Sequence, residues 1–256
     1  MYSGRVYYYE EDNLKIRAST ARYKFCAPFT KEKIVLDTGC GARQGPYLIA
    51  ESALKVFGLD ISYAAIDYCS KHWQKDNVDY IVADVKALPF KDERLDVILS
   101  LEVIEHIDDY KAYLLEMLRL LRQKGILIIS TPQRSIASPR GELSNPDHVR
   151  EFELEEFDSI LRNNFTKVTM YGHFFSTRVK QIEELRKANI KNFSKIPKFI
   201  KNFIPANWKE YILRKYHYFS IMIFKGLSAG MITEKDSIFK NEDLKQATHL
   251  LAICEK

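Results

Sequence analysis

"VLDTGCGARQG", Val35 to Gly45, runs an apolar, β-branched strand directly into an acid, three glycines and a cysteine. The bare backbone of such a turn bends sharply and lets a ligand approach to van der Waals distance, while the helix that follows presents unpaired N–H groups. A tight βα turn that holds nothing has the same local composition, so the loop takes its meaning from its surroundings. Arg43 stands where a nucleotide-binding loop would usually carry a further glycine.

Outward from the loop, short β-branched runs alternate with amphipathic stretches. "KIVLDTG" (33–39), "KVFGLD" (55–60), "VDYIVAD" (78–84), "LDVILSL" (95–101), "GILIIST" (125–131) and "KVTMYG" (167–172) each have the length and Val/Ile content of a strand. "DYKAYLLEMLRLLRQKG" reads as a helix capped by Asp108 or Asp109, with Tyr113, Leu114, Met117 and Leu121 on one side and Gly125 as the stop. Strand and helix repeated in this way, with right-handed crossovers, predict an α/β doubly wound, Rossmann-like sheet. Such sheets bind ligands at the carboxyl ends of their strands. That rim collects Asp37, Gly39, Cys40, Gly41 and Gly45 after the first strand, Asp60 after the second, Asp84 after the third, Ser100, Leu101 and Glu102 at the fourth and Thr131 at the fifth. Asp60, about twenty residues beyond the loop, stands where a carboxylate accepts both ribose hydroxyl protons.

Composition narrows the function classes. With 256 residues, 46% hydrophobic, the chain can bury a sizeable core. Cys26, Cys40, Cys69 and Cys254 are widely spaced and there is no basic, apolar leader, so a reduced cytoplasmic setting is expected. The six histidines show no HxxxH or paired-cysteine spacing, and spacing alone suggests no metal. Net charge is +5, but Arg178 to Lys225 holds twelve Lys and Arg against three Glu, a local +9 that leaves the remainder at −4.

In order and spacing, "VLDTGCGARQG", "VFGLDIS", "VADVKALPF", "LDVILSLEVIEHI" and "LRQKGILIISTP" resemble the class I S-adenosylmethionine-dependent methyltransferases. "STARYKF" and "NPDHVREFELEEF" are similar to blocks in methyltransferases found with glycan assembly enzymes and, less closely, in ubiquinone-pathway O-methyltransferases. The resemblance implies S-adenosylmethionine as cofactor and a seven-stranded sheet. It implies that Asp37, Gly39 and Gly41 surround the methionine part, Asp60 holds the ribose, Asp84 meets the adenine amino group and Leu101 lines the adenosine site. Cys40, Gly45, Ile61, Val85 and Ser100 complete the expected cofactor set, and Arg22 is a candidate for the cofactor carboxylate, with a solvated surface charge as its alternative.

A hydroxyl acceptor would need a base, and the rim offers His148 and His106, the latter with Glu102 and Glu105. Packing or loop-stabilising roles would suit both imidazoles equally. Arg150 could bind an acidic acceptor or pair with Glu151 or Glu153. No (N/D)PP(Y/F) stretch or Pro-Cys follows the fourth strand, which argues against base-directed nucleic-acid methylation. The expected function is methylation, on oxygen, of a small or lipid-linked acceptor such as a glycan intermediate or quinone precursor. A cofactor-binding module without turnover, and an RNA methyltransferase gripping phosphates through its basic segment, stand as alternatives.

The methyltransferase domain is expected over 1–175 and 236–256, with a helical, basic and aromatic insert at 176–235 before the last strand, "THLLAICEK". "SKIPKFIKNFIP" sets Ile196, Phe199, Ile200 and Phe203 on one face and Lys195, Lys198 and Lys201 on the other, a pattern suited to a lid or to peripheral contact of 195–225 with the inner membrane face. If it meets lipid, replacing Lys195, Lys198 and Lys201 together by Glu abolishes co-sedimentation with anionic vesicles, because each base near such a surface contributes about 1 kcal/mol. Cofactor titration of the same variant is expected to be unchanged, and wild-type chain that never sediments leaves only the lid.

Overall fold

The computed structural model describes residues 14–139, 141–143, 145–181, 208 and 233–256. The insert expected at 176–235, with its three lysines, lies almost wholly outside them. Residues 18–174 and 238–256 belong to one compact unit, and 14–17, 175–181 and 233–237 belong to a second. In the second, the Asp236 carboxylate accepts bonds from Ser176 Oγ (2.6 Å) and the Thr233 amide (2.9 Å).

The first unit is built on a sheet whose strands run in the order β3-β2-β1-β4-β5-β8-β6-β7. β1 (Ile34–Thr38), β2 (Lys55–Asp60), β3 (Val78–Val82), β4 (Leu95–Leu101) and β5 (Leu121–Pro132) are parallel. β8 (His249–Glu255) enters antiparallel between β5 and β6 (Lys167–Phe175). Side chains alternate across each strand, so Leu36, Ile98 and Leu127 join one core with Leu114, Met117 and Phe157, while Val35, Val97, Leu99 and Ile128 join the other with Tyr23, Cys26 and Ile49. Helices α1 (Leu14–Thr30), α2 (Gly45–Ile49), α3 (Tyr63–His72), α4 (Tyr110–Leu120), the short α5 (Arg134–Ala137) and α6 (Leu154–Arg162) connect the strands.

Three expectations change. The sheet has eight strands, not seven: β7 (Ser237–Lys240) occupies the edge, where the Phe239 ring stacks on His173 and Phe25 at 4.6 and 4.7 Å. Four partly exposed residues after a long insert carry too little periodicity to announce themselves. Gly125 does not end a helix. α4 stops at Leu120, Leu121 already pairs with Leu95, and a Cβ at Gly125 would lie 2.8 Å from the Arg122 carbonyl, inside the irregular start of β5. β3 ends at Val82, short of Asp84, whose side chain instead accepts the Lys86 amide at 2.9 Å in a turn.

Beneath the rim, buried hydroxyls tie three elements together. Tyr113 from α4 donates to Ser100 Oγ at 2.9 Å and lies 3.0 Å from Thr38 Oγ1, which donates to the Leu99 carbonyl at 3.1 Å. Tyr113→Phe removes the donor to buried Ser100 Oγ and is expected to lower stability by about 1–3 kcal/mol, with an unchanged denaturant m-value, in urea unfolding.

Candidate active site

Strand β1 delivers Asp37 and Thr38 to the rim, and the chain then turns through Gly39 and Gly41, both left-handed at φ 66° and 59°. A Cβ on Gly39 would strike Val103 Cγ2 at 2.7 Å, whereas one on Gly41 would meet nothing within 4 Å. Asp60 holds this turn from the end of β2: its two carboxylate oxygens accept the Gly41 and Ser62 amides, each at 2.8 Å. Cys69 of α3 supports the turn from behind, donating to the Gly41 carbonyl (3.2 Å) and the Arg43 carbonyl (3.5 Å), close to buried Cys40. Gly45 opens α2 under the Tyr23 ring, where any Cβ would overlap Tyr23 Cζ at 2.1 Å, so its smallness serves packing.

Asp37 is fully buried. One oxygen accepts the Tyr23 hydroxyl at 2.8 Å, and the other has no partner among the described residues. Burial, only partly offset by Tyr23, pushes its pKa up to about 8. A lone buried carboxylate oxygen beneath an open glycine turn fits a cationic ligand group. Ile61, Val82 and Tyr63 expose apolar side chains at the ends of β2 and β3, Asp84 is exposed nearby in sequence to buried Val85, and Ser100 and Leu101 are buried at the end of β4.

A second constellation follows β4. Glu102 sits at a left-handed φ of 62°, an unfavourable conformation for a non-glycine residue. Its carboxylate accepts Ser130 Oγ at 2.8 Å and lies 3.2 Å from His249 Nε2. Burial opposes its charge, but Arg22, His249 and Ser130 hold its pKa below the usual range. Glu105 is 1% exposed and accepts Thr131 Oγ1 at 3.2 Å; burial and the charge of Glu102 push its carboxyl well up. His106 and His148 pack edge to face with centroids 4.8 Å apart. His106 Nδ1 bonds the Asp147 carbonyl, and His148 Nδ1 bonds Glu151 Oε1, both at 2.8 Å. Burial pulls the His148 imidazolium pKa down despite Glu151, so the ring is neutral at pH 7.

The rim therefore brings His106 and His148 together, and it carries Asp37 and the glycine turn, whose Gly41 amide Asp60 holds. Arg22 is not a solvated charge: it is 6% exposed and lies 3.3 Å from His173 Nδ1. Arg150 pairs with Glu156, not with Glu151 or Glu153, and lies over the rings of Tyr110 and Phe152 at 4.5 Å. Tyr23, His173, His249 and Glu151 were not expected at the site, whereas Thr131, expected on the rim, bonds Glu105 there. Because β8 is antiparallel, its amino end reaches the rim, where His249 pairs in register with His173 near the carboxyl end of β6; counting strand orientation would have found His249.

A doubly wound sheet whose first turn combines left-handed glycines, a buried acid and a ribose-type acid defines a nucleoside-cofactor domain of the class I methyltransferase kind. Residues 36–129 match the family described as "Methyltransferase domain". A "Probable S-adenosylmethionine-dependent methyltransferase" of Mycobacterium tuberculosis is 33% identical over 174 residues, 67% of this chain and 63% of that protein. A "Ubiquinone biosynthesis O-methyltransferase" of Bartonella quintana is 28% identical over 130 residues, 46% of this chain and 53% of that protein. The crystal structure of an S-adenosylmethionine-dependent methyltransferase from Archaeoglobus fulgidus superposes with a TM-score of 0.59 at 18% identity, covering 92% of each chain. Residues 36–129 thus carry a methyltransferase domain of the class I S-adenosylmethionine-dependent kind, whose cofactor is S-adenosylmethionine. The chain spans a little under two thirds of the length of the curated relatives it matches first. Among the described residues no helix is long and apolar enough to cross a membrane.

Two outcomes follow from the turn. Asp60→Ala is expected to weaken cofactor binding by about 1–3 kcal/mol in calorimetry, through the lost acceptor and a loosened turn. Asp37 has a folded pKa near 8 against an ordinary 3.8, so in the free protein it holds a proton throughout that window. A bound ammonium favours the ionised form, so cofactor affinity rises with pH up to about 8 and binding near pH 7 releases a proton from Asp37. Calorimetry in buffers of different ionisation enthalpy reads that release, and Asp37→Asn is expected to abolish it.

Proposed function

We propose that the protein transfers the methyl group of S-adenosylmethionine to a hydroxyl oxygen of a small or lipid-linked acceptor, such as a glycan intermediate or quinone precursor. The observation that carries this is the anchored imidazole of His148 beside His106, on the rim that also bears the glycine turn. Similarity to a ubiquinone-pathway O-methyltransferase supports oxygen as the methylated atom.

Asp37, Gly39, Gly41 and Asp60 are the residues that would hold the cofactor, with Ile61, Asp84, Val85 and Leu101 at its nucleoside end. Held there, S-adenosylmethionine would supply an electrophilic methyl group to the acceptor oxygen, with the electron pair of its S–CH3 bond left on sulfur. The chain's own part is alignment and proton removal. Glu151 takes the Nδ1 proton of His148 in a hydrogen bond and so fixes the tautomer whose Nε2 is basic. Ser138, bonded to the other Glu151 oxygen, fixes that carboxylate in turn. The neutral imidazole then accepts the acceptor's hydroxyl proton. Arg22 and His249 lie near Glu102 as positive or donor groups and suit a polar acceptor.

The methylated compound is to be found by a mass-spectrometric screen of metabolites and lipid extracts incubated with enzyme and cofactor. On a hydroxyl acceptor His148→Ala is expected to lower turnover roughly 10²-fold or more while cofactor affinity is kept. Unchanged turnover would remove His148 from the proton path, and absence of any cofactor binding would sink the assignment altogether.

A further inference from the structure

Tyr23 belongs to α1, outside residues 36–129, and is 5% exposed. Its hydroxyl donates to Asp37 Oδ2 at 2.8 Å. Its ring is seated by packing: it joins the core of Val35 and Ile49, and it fills the space that a Cβ on Gly45 would need. The other Asp37 oxygen, Oδ1, has no partner among the described residues. The two oxygens of a carboxylate are chemically alike, and a donor fixed on one of them decides which is left to accept. The same donor favours the charged form. Burial raises the Asp37 pKa to about 8, the Tyr23 hydrogen bond pulls against that rise, and the charge of Asp60 adds to it.

Other titratable groups face Asp37 from every side: Cys26 on α1, Cys40 in the turn, Tyr80 on β3 and Tyr113 on α4. Burial pushes up the Cys26 thiol and both phenols, and contact with Cys69 together with burial does the same for Cys40, so all four are neutral near pH 7. Arg43 acts on the Tyr23 hydroxyl, which burial and Asp37 hold well above its ordinary range. Tyr23 is thus a neutral donor at any pH at which the protein works.

We propose that Tyr23 is a positioning residue of the cofactor site: by holding Asp37 Oδ2 it leaves Oδ1 to receive the α-ammonium group of S-adenosylmethionine. This rests on Asp37 being the acid at that end of the cofactor, as in the function proposed above, and is independent of the acceptor. Without the hydroxyl, Asp37 would keep its proton to a higher pH, and binding would have to expel it. The cost is felt below the Asp37 pKa and vanishes above it.

The test is calorimetric titration of the full chain with S-adenosylhomocysteine, which carries the same amino-acid end, from pH 6 to 9.5. Tyr23→Phe keeps the ring over Gly45 and removes the donor. The ligand's own amine titrates alike in both experiments, so the ratio of wild-type to variant affinity reports the protein alone. Losing one hydrogen bond to a charged acceptor moves the Asp37 pKa up by about one unit, so the expected ratio is about tenfold at pH 7 and about twofold or less at pH 9.5. In an Asp37→Asn background the effect of Tyr23→Phe is expected to be the same at every pH. A loss in the single variant that is constant with pH would make Tyr23 a packing residue and overturn the proposal, as would unchanged affinity at pH 7. Wild-type pH dependence in Asp37→Asn would remove Asp37 from the ammonium and the proposal with it. Should Tyr23→Phe not fold, wild-type chain labelled with 13Cζ-tyrosine takes its place. A tyrosine resonance that follows an ionisation near pH 8, and no longer does so in Asp37→Asn, supports the proposal, and absence of such a resonance overturns it. None of these measurements needs an acceptor or turnover. Failure to find a methylated hydroxyl would therefore strike the O-methylation reading and leave the role of Tyr23 standing.

Discussion

A carboxylate held by one oxygen lies at the heart of the fold. Asp37 ends the central strand β1, fully buried, with Tyr23 of α1 on one oxygen and nothing on the other among the described residues. Leaving a charge so poorly solvated costs several kcal/mol unless it is protonated or finds a cation. The surrounding chain is arranged around that cost. Tyr23 must reach Asp37, so α2 must begin with a residue that has no Cβ, and Gly45 meets that need beneath the Tyr23 ring. The turn above Asp37 must stay open, and Asp60 keeps it so by holding the Gly41 and Ser62 amides.

In the cluster that follows β4 the logic is different. There, acids and imidazoles are paired and anchored: Glu102 with Ser130 and His249, His148 with Glu151, His106 with a backbone carbonyl. The backbone at Glu102 is strained to bring this about, and the Ser130 carbonyl compensates by accepting the Glu102 amide at 3.1 Å. One rim thus offers two environments, an open turn with an unmet charge and a rigid cluster of polar side chains. A reaction that joins a cationic donor to a polar acceptor needs both.

The parallel half of the sheet was readable from periodicity, because strands buried on both faces show as continuous Val, Ile and Leu runs ending in the acids Asp37 and Asp60. The turn was readable because left-handed backbone demands glycine. Boundaries that depend on pairing were not. Gly125 looks like a helix stop, and only the Leu95–Leu121 pairing reveals that the strand has already begun. The partners of each site residue were illegible for a related reason: Glu151 meets His148 through local loop geometry, and Arg22 meets His173 across the fold, so neither has a sequence spacing to betray it.

The place of β8 has a consequence for how the molecule is made. This strand follows the other seven in sequence, yet it is inserted between β5 and β6, so neither of those has its inner neighbour until residues 249–255 arrive. A nascent chain that has completed β1 to β6 still carries two open ladders of unpaired amides and carbonyls, the surfaces on which unfinished sheets stick to one another. It also lacks His249, and with it the ring that pairs with Glu102. Closure of the sheet and completion of the polar cluster are thereby one late event, and a ribosome-bound intermediate would hold the cofactor turn well before it holds a finished rim.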